Sequence, residues 1–174
     1  DSIRDLNSDS LAAYLGRMRE IGEDIASISN YEVLVNRIYA KLNELMDAPI
    51  LAVSYHDLES NKLIVPCTIE KGEQLPMAEL SLEDTDKMAV KCFKGNLEVI
   101  INSEKDLPTY GLKEYSTYAG DPSKSIIYIP LTFKGEPIGT ITVQSFEEHA
   151  YSESHVELLR ILAIYASISL QNTQ

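Results

Sequence analysis

The stretch from Ser125 to Phe146 restricts most what this chain can become. Residues 125–133 and 137–146 are rich in Ile, Val, Thr and Tyr, with Lys134-Gly135-Glu136 between them. Two such runs joined by a short glycine-containing connection predict a β-hairpin. On its second strand Thr140, Thr142 and Gln144 share one face, and Gly139, Ile141 and Val143 share the other. Strand side chains alternate sides, so one face of this sheet is expected to meet packed helices and the other a more polar space.

The flanking segments follow helical periods. Leu11, Tyr14, Met18, Ile21, Ile25 and Ile28 recur at spacings of 3 and 4, a heptad seam that asks for a neighbouring helix. That neighbour is either a second copy of the chain or a helix of its own domain. Ser29 and Glu32 have capping-box spacing, and Leu34, Ile38, Leu42 and Leu45 form one apolar face of a second helix that Pro49 ends. A last helix is expected from Ser152 to about Asn172. It is apolar on two sides, through Leu159, Leu162, Ala166 and Leu170 and through Ile161, Tyr165 and Ile168. A sheet covers one side only, which points to a dimer.

Between these helices the pattern is mixed. Residues 50–57 and 62–69 read as strands around a turn at 58–61, with Pro66 placing the second at an edge or a bulge. Residues 81–93 read as a short helix closed by Lys94-Gly95-Asn96, and 97–101 as a strand. Residues 102–124 hold Tyr110, Tyr115 and Tyr118 and show no period, as expected of a long loop with one helical turn. Such loops often carry function. Residues 1–10 are polar and expected to fray. The element order gives an α+β fold with an antiparallel sheet.

Composition narrows the function. Fifteen Lys and Arg face 27 Asp and Glu, a net charge of −12. With no basic run to neutralise phosphates, nucleic acid and anionic membrane surfaces are poor partners. No apolar run approaches the length of a membrane span. Cys67 and Cys92 follow no secretory leader, which fits a reducing cytoplasm, and both stand among apolar residues. Both of their elements could still line one pocket as a redox pair. The chain opens at Asp1 rather than Met, as expected of a piece of a longer protein.

Motifs for chemistry are few. The glycines fit neither a dinucleotide nor a Walker loop, and there is no Gly-x-Ser-x-Gly elbow. His56, His149 and His155 lack metal-ligand spacing with cysteine. No catalytic residue or metal site is expected from these patterns, and they leave the cofactor open.

Several stretches together carry a resemblance. They are Leu45-Met46-Asp47-Ala48 before a strand ending Tyr55-His56-Asp57, Ser125-Ile126-Ile127-Tyr128-Ile129-Pro130-Leu131, Lys134-Gly135-Glu136-Pro137-Ile138-Gly139, and Tyr151-Ser152-Glu153 running into Leu158-Leu159. Over about residues 29–172 the chain resembles the GAF family, small-molecule sensory domains of bacterial signalling proteins and phosphodiesterases. The resemblance implies a six-stranded antiparallel sheet, with the first and last helices on one face and a ligand pocket on the other. Residues 1–28 would be a signalling or linker helix and 29–174 the sensory domain.

Mapped onto this chain, the pocket would be lined by Cys67, Ile69, Met88, Ala89, Tyr115, Tyr118, Ser125 and Gln144. A homodimer would form through Met18, Ile21, Ile25, Ile161, Tyr165 and Ile168. The implied function is cytoplasmic ligand sensing, relayed through the terminal helices to an output domain outside this chain, such as a histidine kinase of a two-component system or a nucleotide cyclase. The alternatives are a ligand-free dimerisation module and a thiol-based redox sensor or enzyme. Cyclic-nucleotide-binding members carry Asn-Lys, Phe and Asp-Glu where this chain has Ser145-Phe146, Tyr151 and His155-Val156. Bilin-binding members need a cysteine that residues 102–124 lack, and the free methionine sulfoxide reductases of the family need a larger cysteine set.

Overall fold

A computed structural model of the chain describes residues 8–115 and 122–173. Helices α1 (Ser8–Ala26) and α2 (Tyr31–Leu45) lead into strands β1 (Ile50–Asp57), β2 (Lys62–Val65), β3 (Thr68–Glu70), β4 (Glu73–Leu75) and β5 (Ala78–Ser81). Helix α3 (Met88–Gly95), β6 (Val99–Ile101) and a 3-10 helix (Glu104–Tyr110) follow. The chain ends with β7 (Ser125–Phe133), β8 (Glu136–Ser145) and α4 (Glu153–Thr173).

The fold is α+β with one antiparallel sheet in the order β4-β3-β1-β8-β7-β6. It holds eight strands rather than six, and proline chemistry explains the difference. Residues 62–69 were expected as one strand, but Pro66 has no N–H to give a ladder. The run therefore breaks there into β2 and β3. Both pair with the edge of β1 that faces away from β8, β3 along Ile50–Ala52 and β2 along Tyr55–Asp57. The short strands β4 and β5 then pair with β3 and β2 respectively. Eight strands thus make a sheet six strands wide.

Three helix starts differ from expectation. The cap of α2 is Asn30, whose side chain accepts from the Val33 N–H at 3.1 Å, so Ser29 does not cap it. Helix α3 begins at Met88 because the run Glu83-Asp84-Thr85-Asp86 forms turns, the Asp84 N–H donating to Ser81 O. Helix α1 already runs from Ser8, inside the stretch expected to fray.

Helices α1, α2 and α4 cover one face of the sheet. Leu34, Val35, Ile38 and Leu42 of α2 and Leu159, Leu162, Ala166 and Leu170 of α4 bury against Leu51, Val53, Ile127, Ile129, Ile141 and Val143. Helix α1 lies along α4 and parallel to it. The Tyr165 ring packs on Gly22, where a Cβ would collide with the ring. Ser169 Oγ donates to Ile28 O at 2.7 Å, and Asn172 Nδ2 to Ala26 O at 3.1 Å. The heptad seam of α1 therefore meets the chain's own last helix.

The residues expected to form a dimer lie along this helix pair. Met18 and Ile25 are buried within the chain, and Ile21, Ile161 and Tyr165 pack half-buried on the same core. Of that set only Ile168 stays exposed; Leu15 and Ile164 are the other exposed large apolar residues on these two helices. Among the described residues, no helix is long and apolar enough to cross a membrane.

Candidate functional site

The other face of the sheet is roofed by α3 and the 3-10 helix. Met88, Ala89, Val90, Cys92 and Phe93 of α3 pack with Leu107 and Leu112 over Ala52, Leu63, Val65, Val99, Ile101, Ile126 and Tyr128. Ladder register sets which residues look this way. Ala52 pairs with Thr68 on one side and Thr142 on the other, and Thr142 pairs with Tyr128, which pairs with Val99. One row on this face therefore reads Thr68, Ala52, Thr142, Tyr128, Val99. The neighbouring rows bring Ser54 with Thr140, and Ile50 with Gln144 and Ile126.

The result is a polar array inside a closed face. Ser54, Thr68, Ser123, Thr140, Thr142 and Gln144 are all buried. Gln144 is its hub. Its Oε1 accepts from Ser123 Oγ at 2.6 Å, and its Nε2 donates to Thr142 Oγ1 at 3.2 Å and to Tyr128 Oη at 3.4 Å. Ser54 Oγ and Thr140 Oγ1 are hydrogen-bonded at 2.6 Å, and Ser54 Oγ also accepts the Thr140 N–H. Gly139 permits this register, because a Cβ there would collide with Ser54 O. Thr68 Oγ1 is buried and has no hydrogen-bond partner. An orphaned buried hydroxyl costs about 1–3 kcal/mol, so its presence in the array needs a reason.

The expected pocket residues divide between the faces. Met88, Ala89, Tyr115 and Gln144 come together on the array side. Tyr115 Oη donates to Lys124 O at 3.2 Å, and burial pushes its hydroxyl pKa up. Tyr118 lies outside the described residues. Cys67 and Ile69 face the helices instead, because Thr68 is the residue paired with Ala52 and its neighbours must point the other way. Ser125 also leaves the array. Its hydroxyl donates to Glu147 O at 2.6 Å and accepts the Ala150 N–H, which ties down the turn before α4.

Thr68, Thr142, Tyr128, Ser54, Thr140 and Ser123 are the array members absent from that expected set. The signal for half of them was present in the alternation of β7 and β8. Thr68 was hidden by the break at Pro66, which makes parity in 62–69 unreadable.

The cysteines do not form a pair. Cys67 belongs to the helix-side core and Cys92 to the α3 side, with the sheet between them. Burial pushes both thiols above their ordinary range. Among the described residues no cluster of three or more His, Cys, Asp or Glu is placed to hold a metal.

Comparison with known proteins agrees with this architecture. The sequence model of the GAF domain family matches residues 29–171. No curated protein matches the chain. Among solved structures, the fold is similar to the GAF domain of an Acinetobacter phosphoenolpyruvate-protein phosphotransferase, with a TM-score of 0.72 and 13% identity over 91% of this chain and 93% of that one. It is also similar to residues 122 to 287 of a methyl-accepting chemotaxis protein, at TM-score 0.70 and 18% identity over 88% and 96% of the two chains. A third is the free methionine-R-sulfoxide reductase of Neisseria meningitidis in complex with its substrate, at TM-score 0.62 and 18% identity over 95% of both chains. Identities this low speak for the fold alone.

Proposed function

The chain belongs to the GAF domain family, and from that premise we propose that it is a small-molecule-sensing regulatory domain of a signalling protein. The observation that carries this reading is the two-sidedness of one sheet. A hydrogen-bonding array lies buried under α3, and the back of the same strands carries the parallel pair α1 and α4. A ligand among those hydroxyls would shift the strands or their roof and bias the helix pair between two arrangements. It acts only through its different affinity for the two.

In this reading the segment 1–28, which carries α1, is a signalling or linker element and 29–174 the sensory domain. An output domain outside the chain, such as a histidine kinase or nucleotide cyclase, reads the helices in the cytoplasm. The ligand set is Met88, Ala89, Tyr115 and Gln144, joined by Thr68, Tyr128 and Thr142. A homodimer would use the uncovered side of α4, where Ile164 and Ile168 are exposed beside Phe133 and a groove of about 290 Å³, with half-buried Ile161 at heptad spacing from them.

A regulatory role is favoured over a thiol enzyme by the placement of Cys67 and Cys92 on opposite faces of the sheet. A ligand-free relay is the second reading. It draws on the mutual hydrogen bonds of Ser54 with Thr140 and of Ser123 with Gln144, which satisfy most of the array internally.

Thermal melting against a metabolite library separates the two. A ligand at 100 times its Kd stabilises the fold by about 2.7 kcal/mol. Sensing predicts such a shift for one chemical series and its loss in Gln144→Leu. A flat response across the library favours the relay.

A further inference from the structure

We propose that the array takes an uncharged small molecule bearing both a donor and an acceptor, and that Thr68 and Thr142 determine this specificity. The proposal rests on reading the α3 side as the ligand side, and it names what that side accepts.

Charge comes first. The buried polar residues among those described are Ser, Thr and Gln, with no Asp, Glu, Lys, Arg or His. An ion brought into such a wall loses its water and gains no counter-charge. The titratable groups nearest by register are His56 and Glu70, both half-buried at the ends of the β1 rows. His56 Nε2 is already bonded to Asn61 Oδ1 at 2.8 Å, and Glu70 would repel an anion. Lys91 and Lys94 of the roof turn elsewhere. Lys94 Nζ donates to Leu82 O, and Lys91 Nζ lies near Gly111. A net charge of −12 adds a long-range bias against anions.

The hydrogen bonds of the array leave two hydroxyls for a ligand. Gln144 is engaged at both ends, its oxygen accepting from Ser123 and its two N–H donating to Tyr128 and Thr142, which leaves one lone pair of the oxygen. Thr142 Oγ1 accepts from Gln144 and keeps its own proton to give. Thr68 Oγ1 has no partner at all. These two residues flank Ala52 in a single row, their backbones about 10 Å apart at two strand spacings. Ala52 carries the smallest side chain of that row. A single-ring molecule with an acceptor on one side of the ring and a donor on the other, seated over Ala52, would accept from Thr142 and donate to Thr68. Met88 in the roof, unbranched and adaptable, can yield to it.

Matched probes test this. Nicotinamide and nicotinate, uracil and orotate, and adenine and adenosine monophosphate are titrated into the whole chain by saturation-transfer NMR. At least one neutral probe is expected to bind, with its charged counterpart at least tenfold weaker. Thr68→Val and Thr142→Val should each weaken that probe at least tenfold. If Thr68 were only structural, Thr68→Val would remove an orphaned hydroxyl and leave probe binding untouched. Neutral binding indifferent to both substitutions overturns the proposal.

Charged probes that bind as well as neutral ones, and still respond to Thr142→Val, overturn the ligand class but leave the sensing face standing. They would bring a cation into the site, and Lys87 is the half-buried one nearest the start of α3. Failure of all six probes overturns the ligand class; the sensing face then falls only if the metabolite library also leaves the melting temperature unchanged.

Discussion

Gly139 shows how one missing methyl sets a register. Its Cα approaches Ser54 O so closely that any Cβ would meet backbone, which cannot move aside. Gly139→Ala should destabilise the fold by roughly 1–3 kcal/mol in urea denaturation, the cost of forcing atoms into a filled site. Full stability in that variant would mean that β1 and β8 can separate freely.

His155 gives a pH dependence. Burial lowers its pKa below 6.5, and its Nδ1 accepts the Ser152 N–H at 3.1 Å, which requires the neutral ring. The unfolded chain therefore binds the proton more readily than the folded one. The contribution is fully present above pH 6.5 and is lost as pH falls through the lower folded value. Unfolding free energy measured from pH 7.5 down to 5 should fall in the native chain. In His155→Gln that part of the slope should vanish.

Among the elements, α1 and α4 form the tightest junction. Gly to Ala inside a helix ordinarily stabilises by about 1 kcal/mol. At Gly22 the sign should reverse, because the new methyl would enter the space of the Tyr165 ring. Hydrogen exchange in α1 should rise in Gly22→Ala while the amides of β7 and β8 stay protected.

Strand β6 has its own safeguard. The Tyr110 hydroxyl accepts the Ile100 N–H at 2.9 Å and donates to Ile100 O, so it closes part of an edge. Tyr110→Phe is expected to cost about 1–2 kcal/mol and to raise aggregation during refolding. Light scattering that stays at the native level would remove this role.

Across the whole molecule, the question is what covers the free side of α4. Ile164 is 62% exposed and Ile168 46% exposed, both large values for isoleucine. If a second copy binds there, Ile164→Lys with Ile168→Lys should yield a monomer in analytical ultracentrifugation with an unchanged melting temperature. A native chain that already sediments as a monomer at high concentration would dismiss the dimer.

Much of this architecture was legible in the residues themselves. The alternation of Thr140, Thr142 and Gln144 with Ile141 and Val143 announced that β8 turns its apolar residues to one face of the sheet and its polar ones to the other, because successive strand residues point to opposite sides. The stripes of α2 and α4 likewise foretold their buried sides. Local patterns determined these features because the forces behind them, backbone period and burial of apolar side chains, act within one element.

Tertiary structure decided the rest. Pairing with Ala52, and not any local preference, turned Thr68 toward the array and Cys67 and Ile69 away from it. Packing against Tyr165 gave the α1 seam to α4 of the same chain, a choice that an apolar stripe cannot make alone. In both cases a periodic pattern says that a residue will be covered, while only the assembled chain says by what.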